Sequence, residues 1–182
     1  ILVAGVLHRV RNRAMASAPY TGPDFPSPSA AEKALTMIFL SLIVLRLATV
    51  GLELWWRPLF PWDATMHWAT KARVWFDSKS LVPFVENRQW LELGGAGVFT
   101  DHHPGYPVTT PLLQTWVSLS IGRWDESLIN LPWLLCCLGL LAAFYGQARA
   151  AGSTVLNAMV FTYMLLSMPL LGTHVALAGY AD

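Results

Sequence analysis

The stretch ALTMIFLSLIVLRLATVGLELWW, from Ala34 to Trp56, decides the fold class of this chain. It is almost entirely apolar, and it exceeds the roughly 20 residues that a helix needs to cross a bilayer. Residues 127–148 and 154–176 have the same character. The sequence therefore predicts an all-α, polytopic membrane protein, with transmembrane helices in these three stretches and interfacial helices in a long loop.

Composition supports the membrane class and excludes others. Hydrophobic residues make up 54% of the chain and charged residues only 13%, whereas soluble domains carry about 25% charged residues. The net charge of +1 gives no reason to expect a nucleic-acid partner. Cys136 and Cys137 are adjacent and lie within a predicted span, so we interpret them as small core-filling residues rather than a redox pair.

The distribution of basic residues predicts the topology. Residues 8–33 form a linker rich in Pro and Gly that carries Arg9, Arg11, Arg13 and Lys33, and short basic loops stay in the cytoplasm. Residues 57–126 then form a periplasmic loop, residues 149–153 a cytoplasmic turn, and residues 177–182 the start of a second periplasmic loop. The apolar residues 1–7 are interpreted as the end of a truncated span. We therefore expect a fragment, truncated at both ends and inactive by itself.

The periplasmic loop is predicted to contain two amphipathic helices. Residues 63–77 have an aromatic face, and a neighbouring face carries Asp63, His67 and Lys71 at intervals of four. Residues 111–121 are similar and too short to span. This interpretation places Asp63 and Asp182 on the same side of the membrane. If residues 111–121 did cross the membrane, Asp182 would instead lie on the opposite side from Asp63.

Asp63 has two interpretations from spacing alone. A carboxylate at the membrane surface between tryptophans can act as a general base with a raised pKa. An Asp at the start of a helix more simply caps free backbone N–H groups, and spacing favours this cap. Asp182, at the end of an apolar run, is a functional candidate or a marker of the membrane interface.

Two further polar groups are ambiguous. Asp101, His102 and His103 can supply metal ligands, but a polar loop that hydrogen-bonds to the neighbouring helix is the favoured interpretation. A contact with a phosphate group remains open for the histidines. Arg46 and Glu53 are seven residues apart on one face of the first span, where pairing with each other or with a further helix is favoured over substrate contact.

Several short motifs together resemble a known family. PLFPWDA (residues 58–64) and WATKARVWF (68–76) resemble the start of the first outer loop of bacterial integral-membrane glycosyltransferases with the C-type (GT-C) fold, a group related to protein mannosyltransferases and aminoarabinose transferases. HPGYP (103–107), PLL (111–113), NLPW (130–133) and GYAD (179–182) follow in the expected order. Many relatives have Asp-Glu or Glu-Lys-Pro where this chain has Trp-Asp-Ala and Asp-His-His-Pro.

The resemblance implies a function at the outer face of the bacterial plasma membrane. Such enzymes move a sugar from a polyprenyl-phosphate donor to a glycan, lipid or protein acceptor. Asp63 is the expected catalytic base and Asp182 its expected partner. The residues expected to contact substrate are Lys71, Arg73, His67, His102, His103, Tyr106 and Tyr180. If a divalent metal ion is used, the candidate ligands are Asp101, His102 and His103.

Two alternatives stay open. A transporter or flippase for a lipid-linked saccharide would place charged residues at mid-membrane within broken helices. Here the acids cluster outside the predicted spans, which favours an enzyme. The second alternative is a non-catalytic membrane subunit of the same architecture.

Overall fold

The computed structural model describes residues 27–60 and 62–176, and this part of the chain is mostly helical. The elements in chain order are α1 (Ala30–Trp56), a π-helical turn (Ala64–Ala69), α2 (Thr70–Ser78), β1 (Phe84–Val85), α3 (Asn87–Glu92), β2 (Phe99–Thr100), α4 (Thr109–Ile121), a 3-10 turn (Leu128–Asn130), α5 (Leu131–Ala150), α6 (Val155–Leu166) and α7 (Pro169–Ala176).

Helix α1 contains the first predicted span and begins four residues before it. A reciprocal capping box sets this start: the Ser29 hydroxyl accepts from the Glu32 N–H at 3.2 Å, and the Glu32 carboxylate accepts from the Ser29 N–H at 2.8 Å. The helix is long and apolar enough to cross a membrane. Most of its apolar side chains are exposed, as expected for a surface that faces lipid or further helices.

The second predicted span is also present as a helix. Residues Leu128–Ala150, which comprise the 3-10 turn and α5, are long and apolar enough to cross a membrane. Pro132 lies in the first turn of α5, where its missing N–H costs no helical hydrogen bond. The predicted boundaries of 127 and 148 were close to those observed.

The third predicted span is not one continuous helix, which corrects that expectation. It is divided into α6 and α7, which are bent by 61° relative to each other. Pro169 is the first residue of α7, and its ring and lack of an N–H prevent α6 from continuing through it. Only when taken together do α6 and α7 have the length and apolarity of a span, either as a broken span or as a re-entrant pair.

The apolar core lies between these helices. Helix α1 packs against α6 and α7, and α5 packs against α6. Cys137 is buried in this core, and both cysteines are free, which agrees with a packing role for Cys137. The other buried members are Ile43, Val50, Leu141, Leu166 and Val175.

The segment between α1 and the 3-10 turn, residues 57–127, is folded. Its small parallel pair joins Phe84 to Phe99 and Val85 to Thr100. The sequence predicts only two amphipathic helices in this segment and gives no indication of the two short strands or of α3. Strands of two residues carry too little alternation of polar and apolar side chains to be recognised from sequence.

Helix α4 buries several polar side chains and exposes several large apolar ones, the reverse of a helix on a soluble protein. It buries Gln114, Thr115 and Ser118, whereas Trp116 is 62% exposed and Leu119 is 50% exposed. The helix is about 20 Å long, which is shorter than the hydrocarbon core of a bilayer. It is therefore not a span, and its apolar outer face is typical of a helix that contacts lipid or another apolar surface.

We predict that Ser118→Leu destabilises the protein whereas Ser120→Leu does not. Ser118 is fully buried and Ser120 is exposed on the same helix. The larger side chain at position 118 overpacks the contact with the rest of the segment and costs about 1–3 kcal/mol. Thermal unfolding of the two variants, purified in the same detergent, provides the measurement. Equal midpoints for both variants would contradict the buried face assigned to α4.

Candidate functional site

The candidate site begins with the π-helical turn that precedes α2. The Thr65 hydroxyl donates to the Trp62 carbonyl at 2.8 Å, and the Thr70 hydroxyl donates to the Thr65 carbonyl at 2.7 Å. The wider turn changes which side chains face inward. His67, Trp68 and Lys71 are all buried, and Lys71 is only 1% exposed. The sequence spacing had placed His67 and Lys71 on a face separate from the aromatic one.

The Asp101 carboxylate lies between these inward-facing side chains. Oδ1 of Asp101 is 2.6 Å from His67 Nδ1, and Oδ2 is 2.6 Å from Lys71 Nζ. Lys71 Nζ also donates to the His103 carbonyl at 3.1 Å, and the His103 N–H donates to Asp101 Oδ1 at 3.1 Å. These three residues, His67, Lys71 and Asp101, form what we call the acid–base cluster.

The strand pair positions Asp101. This residue follows β2 directly, and its N–H donates to the Val85 carbonyl at 3.0 Å, which continues the pairing with β1. The backbone is therefore fixed immediately before the carboxylate that reaches Lys71. The short strand β2, which the sequence did not reveal, therefore holds Asp101 against α2, although the two are distant in sequence.

The cluster favours the charged form of Asp101. Burial raises the pKa of this carboxyl, but the hydrogen bonds from Lys71, the His103 N–H and His67, together with the Lys71 charge, outweigh burial and lower the pKa below its ordinary value. Asp101 is therefore a carboxylate at neutral pH, and the Lys71 ammonium neutralises it. The favoured interpretation of this loop, hydrogen bonding to the neighbouring helix, is what the structure shows.

Aromatic rings cover one side of the acid–base cluster. The Tyr106 ring is stacked on Trp68 at 5.3 Å and on His103 at 4.8 Å between centroids. His67 meets Tyr106 edge-on at 5.6 Å and lies 5.2 Å from His103. Lys71 Nζ lies 6.0 Å from the Trp68 ring centroid. The motif HPGYP thus closes over the helix that begins at Trp62.

Asp63 lies in this helix and has no structural partner in the described part of the chain. Its backbone is already helical, with φ −64° and ψ −35°, and its side chain makes no capping hydrogen bond. It is half-buried, and no ion pair of the described residues involves it. The cap that spacing favoured is therefore absent, and the Asp63 carboxylate is available for another role.

The remaining predicted contact residues differ in accessibility. Arg73 pairs with Asp77 at 2.7 Å and lies 5.3 Å from the Trp124 ring centroid. His102 is exposed and lines a surface cavity of about 300 Å³, together with Glu86, Asn87, Arg88 and Asp101. His103 is exposed, although its backbone is fixed. Their substrate contacts stay predictions.

The described residues do not form an evident metal centre. No group of three or more His, Cys, Asp or Glu side chains in ranges 27–60 and 62–176 could hold a metal ion. Asp101 already contacts the Lys71 cation, so a divalent ion would have to displace that ammonium. The acid–base cluster therefore does not fit a metal site as it stands.

Of the two pairings predicted for Arg46, the one with Glu53 is absent, and the one with a further helix stays a prediction. Glu53 instead pairs with Arg57 at 2.8 Å. The Arg46 guanidinium lies against α7, where a Cβ added at Gly172 would be 2.8 Å from its Nη2 atom. Only a glycine at position 172 leaves this side chain in place.

Two of the predicted site residues, Tyr180 and Asp182, lie outside the described residues. The proposed proximity of Asp182 to Asp63 is therefore a prediction. No protein-family model, curated protein or solved structure matches this chain.

We predict that Lys71→Met destabilises the protein by about 3–5 kcal/mol, because it leaves Asp101 buried without its cation. The matched control is Arg73→Met, which removes an exposed pair with Asp77 and costs about 0–1 kcal/mol. Chemical denaturation of the purified variants measures both changes. Similar losses in the two variants would contradict a special role for the buried pair.

The loss in free energy of unfolding caused by Lys71→Met should depend on pH in a defined direction. In the wild type, the pKa of Asp101 is lowered on folding, so its contribution to stability is present above about pH 4 and is lost as the pH falls through the folded-state value. In the variant, protonation at low pH removes the unpaired charge. The difference in free energy of unfolding between the two proteins should therefore narrow on acidification.

Proposed function

We propose that this chain belongs to a membrane glycosyltransferase that moves a sugar from a polyprenyl-phosphate donor to an acceptor at the outer face of the bacterial plasma membrane. The observation that carries the proposal is Asp63. It is a half-buried carboxylate without a capping bond or ion pair among the described residues. It stands at the start of a helix that a buried acid–base cluster holds in place.

The position of Asp63 relative to the candidate spans supports a reaction at a membrane face. The segment that carries it is attached to both spans: the Ser127 hydroxyl donates to the Arg57 carbonyl at 3.3 Å, and Gln114 Nε2 donates to Asn130 Oδ1 at 3.4 Å. Trp56 is 76% exposed and Trp62 is 72% exposed. Exposed tryptophans beside the end of a span are typical of the membrane–water interface.

Asp63 is suited to activating the acceptor. In the proposed step, its carboxylate takes the proton of an acceptor hydroxyl as the oxygen bonds to the anomeric carbon of the sugar. The bond from that carbon to the donor phosphate breaks, and the lipid phosphate leaves with the electron pair. Arg73, His102 and His103 are accessible cationic or hydrogen-bonding groups of the same segment, and they are the proposed contacts for the departing phosphate.

The acid–base cluster has a different proposed role. Lys71 is fully buried and satisfied by Asp101 and His103, and His67 is held by the same carboxylate. We therefore assign Lys71, His67 and Tyr106 to positioning the helix of Asp63. Asp182 is proposed as the second carboxylate of the site, contributed by the following periplasmic loop.

The test is Asp63→Asn in the complete protein, with transfer followed from a radiolabelled polyprenyl-phosphate sugar. Loss of a general base lowers turnover by about 10²–10⁴-fold. Glu92→Gln is the matched control, because Glu92 is an exposed acid of the segment between the spans and pairs with Arg88, which has no part in the proposed site. Unchanged transfer by Asp63→Asn at normal expression would remove Asp63 from the mechanism.

One observation favours a transporter or flippase for a lipid-linked saccharide as the second candidate. The bent pair α6–α7 places a helix break beside Arg46, near the middle of α1. Transporters bind substrates at such discontinuous helices. A non-catalytic subunit of the same architecture is the third candidate, and it predicts no transfer by the complete wild-type protein.

The transporter candidate predicts that Arg46→Gln abolishes translocation of a fluorescent lipid-linked saccharide across proteoliposomes. Arg88→Gln, which removes an exposed arginine outside the spans and outside the proposed site, serves as the control. The glycosyltransferase proposal instead predicts that neither wild type nor variant accelerates translocation. Wild-type translocation that depends on Arg46, without sugar transfer, would replace the enzyme proposal with the transporter.

A further inference from the structure

A cavity of about 600 Å³ lies at the end of the helices opposite to Asp63. It is formed where α1 begins, where α5 ends and where α6 begins. Its polar lining comprises Glu32, Lys33, Thr36, Arg149 and Thr154, and its apolar lining comprises Pro28, Met37, Val155 and Leu156. The proposed reaction makes no use of this cavity.

The electrostatics of the cavity favour an anion. Among the described residues that line the cavity, Lys33 and Arg149 contribute two positive charges and Glu32 contributes one negative charge. Glu32 is committed to the capping box, where its carboxylate accepts from the Ser29 N–H. The helices α1 and α6 both begin at this cavity, so the positive ends of two helix dipoles add to the two cations.

The two cations differ in how they are held. Arg149 is half-buried and its guanidinium donates to the Ser153 carbonyl, which fixes the arginine at the turn between α5 and α6. Lys33 is exposed, and no ion pair within residues 27–60 and 62–176 involves it. One fixed cation and one adaptable cation that line the same cavity can together hold a phosphodiester.

The apolar walls indicate that the anion carries hydrocarbon. Met37 is 59% exposed and Val155 is 42% exposed, and both belong to helices with the composition of membrane spans. A molecule whose phosphate contacts Lys33 and Arg149 would therefore extend its chains along these side chains. Basic pockets between helices at the cytoplasmic face of a membrane are suited to anionic lipid headgroups.

We infer that this cavity binds the headgroup of an anionic phospholipid from the cytoplasmic leaflet. The positive-inside pattern predicts that this end of α1 is cytoplasmic. The chain's own residues 1–26 are the competing occupant, but they carry Arg9, Arg11 and Arg13 against the single acid Asp24, and Lys33 and Arg149 would repel this net positive charge. The inference goes beyond the proposed function and depends on neither Asp63 nor sugar transfer.

The principal experiment measures retained lipid on the complete protein by native mass spectrometry after reconstitution with phosphatidylglycerol or phosphatidylcholine. The wild type should retain phosphatidylglycerol preferentially. Lys33→Gln combined with Arg149→Gln should reduce that retention about tenfold, since each basic residue near a membrane surface contributes several-fold to anionic lipid binding. Equal retention of both lipids, or displacement by millimolar inorganic phosphate, would overturn the inference.

Two matched double variants test whether lipid retention depends on Lys33 and Arg149 themselves rather than on the total charge or on correct folding of the protein. Lys79→Gln combined with Arg123→Gln removes the same charge from residues between the spans that have no part in the proposed site, and it should leave retention unchanged. Lys33→Arg combined with Arg149→Lys keeps both charges and should preserve most of the retention. If either of these control variants lost as much phosphatidylglycerol retention as Lys33→Gln combined with Arg149→Gln, the assignment of lipid binding to this cavity would be contradicted.

A photocrosslinking residue identifies the occupant directly. Benzoylphenylalanine in place of Met37, which lines the cavity and is exposed, should crosslink to phospholipid in membranes. Crosslinks to peptides from residues 1–26 would instead show that the chain fills its own cavity, and they would overturn the lipid assignment.

Discussion

The buried pair between Lys71 and Asp101 is the interaction on which the outer part of this structure depends. Each side chain is almost completely excluded from solvent, at 1% and 2% exposure, and the charged atoms are 2.6 Å apart. Removing either partner would leave an uncompensated charge in a buried position, which proteins rarely tolerate. The two residues are separated by β1, α3 and β2, so the pair fixes the arrangement of everything between them.

This constraint explains several local features together. The π-helical turn places His67 and Lys71 on the inward side, and the continuation of the β1–β2 pairing brings Asp101 to meet them. Tyr106 then stacks between Trp68 and His103 and covers the cluster. π-helical turns frequently occur at functional sites, because they carry an extra residue that changes the direction of side chains. Here the π-helical turn lies between Asp63 and α2, the helix that carries Lys71.

Within the membrane-like part of the chain, the main determinant is the break at Pro169. It divides the third apolar stretch and brings Gly172 against the Arg46 guanidinium. A charged group near the middle of a span is costly unless it faces other protein or a polar cavity. Arg46 lines a cavity of about 340 Å³ with Glu53, Arg57, Pro169 and Gly172. The proline break thus gives this arginine a polar environment, although the expected pairing with Glu53 is replaced by the pair between Glu53 and Arg57.

The sequence by itself determined the helical class, the two helices long and apolar enough to cross a membrane and the helix that follows Pro61, because hydrophobic length and helical periodicity are local properties. It also identified Asp63, His67, Lys71 and Asp101 as the residues of interest. Only the tertiary structure decided their roles, since Lys71 and Asp101 meet through a strand pair too short to leave a pattern. Charge pairing and burial depend on contacts between distant residues. For that reason spacing alone favoured Asp63 as a helix cap, although the family resemblance implied a catalytic base. The structure instead places the paired acid at Asp101, and Asp63 makes no capping bond or ion pair among the described residues.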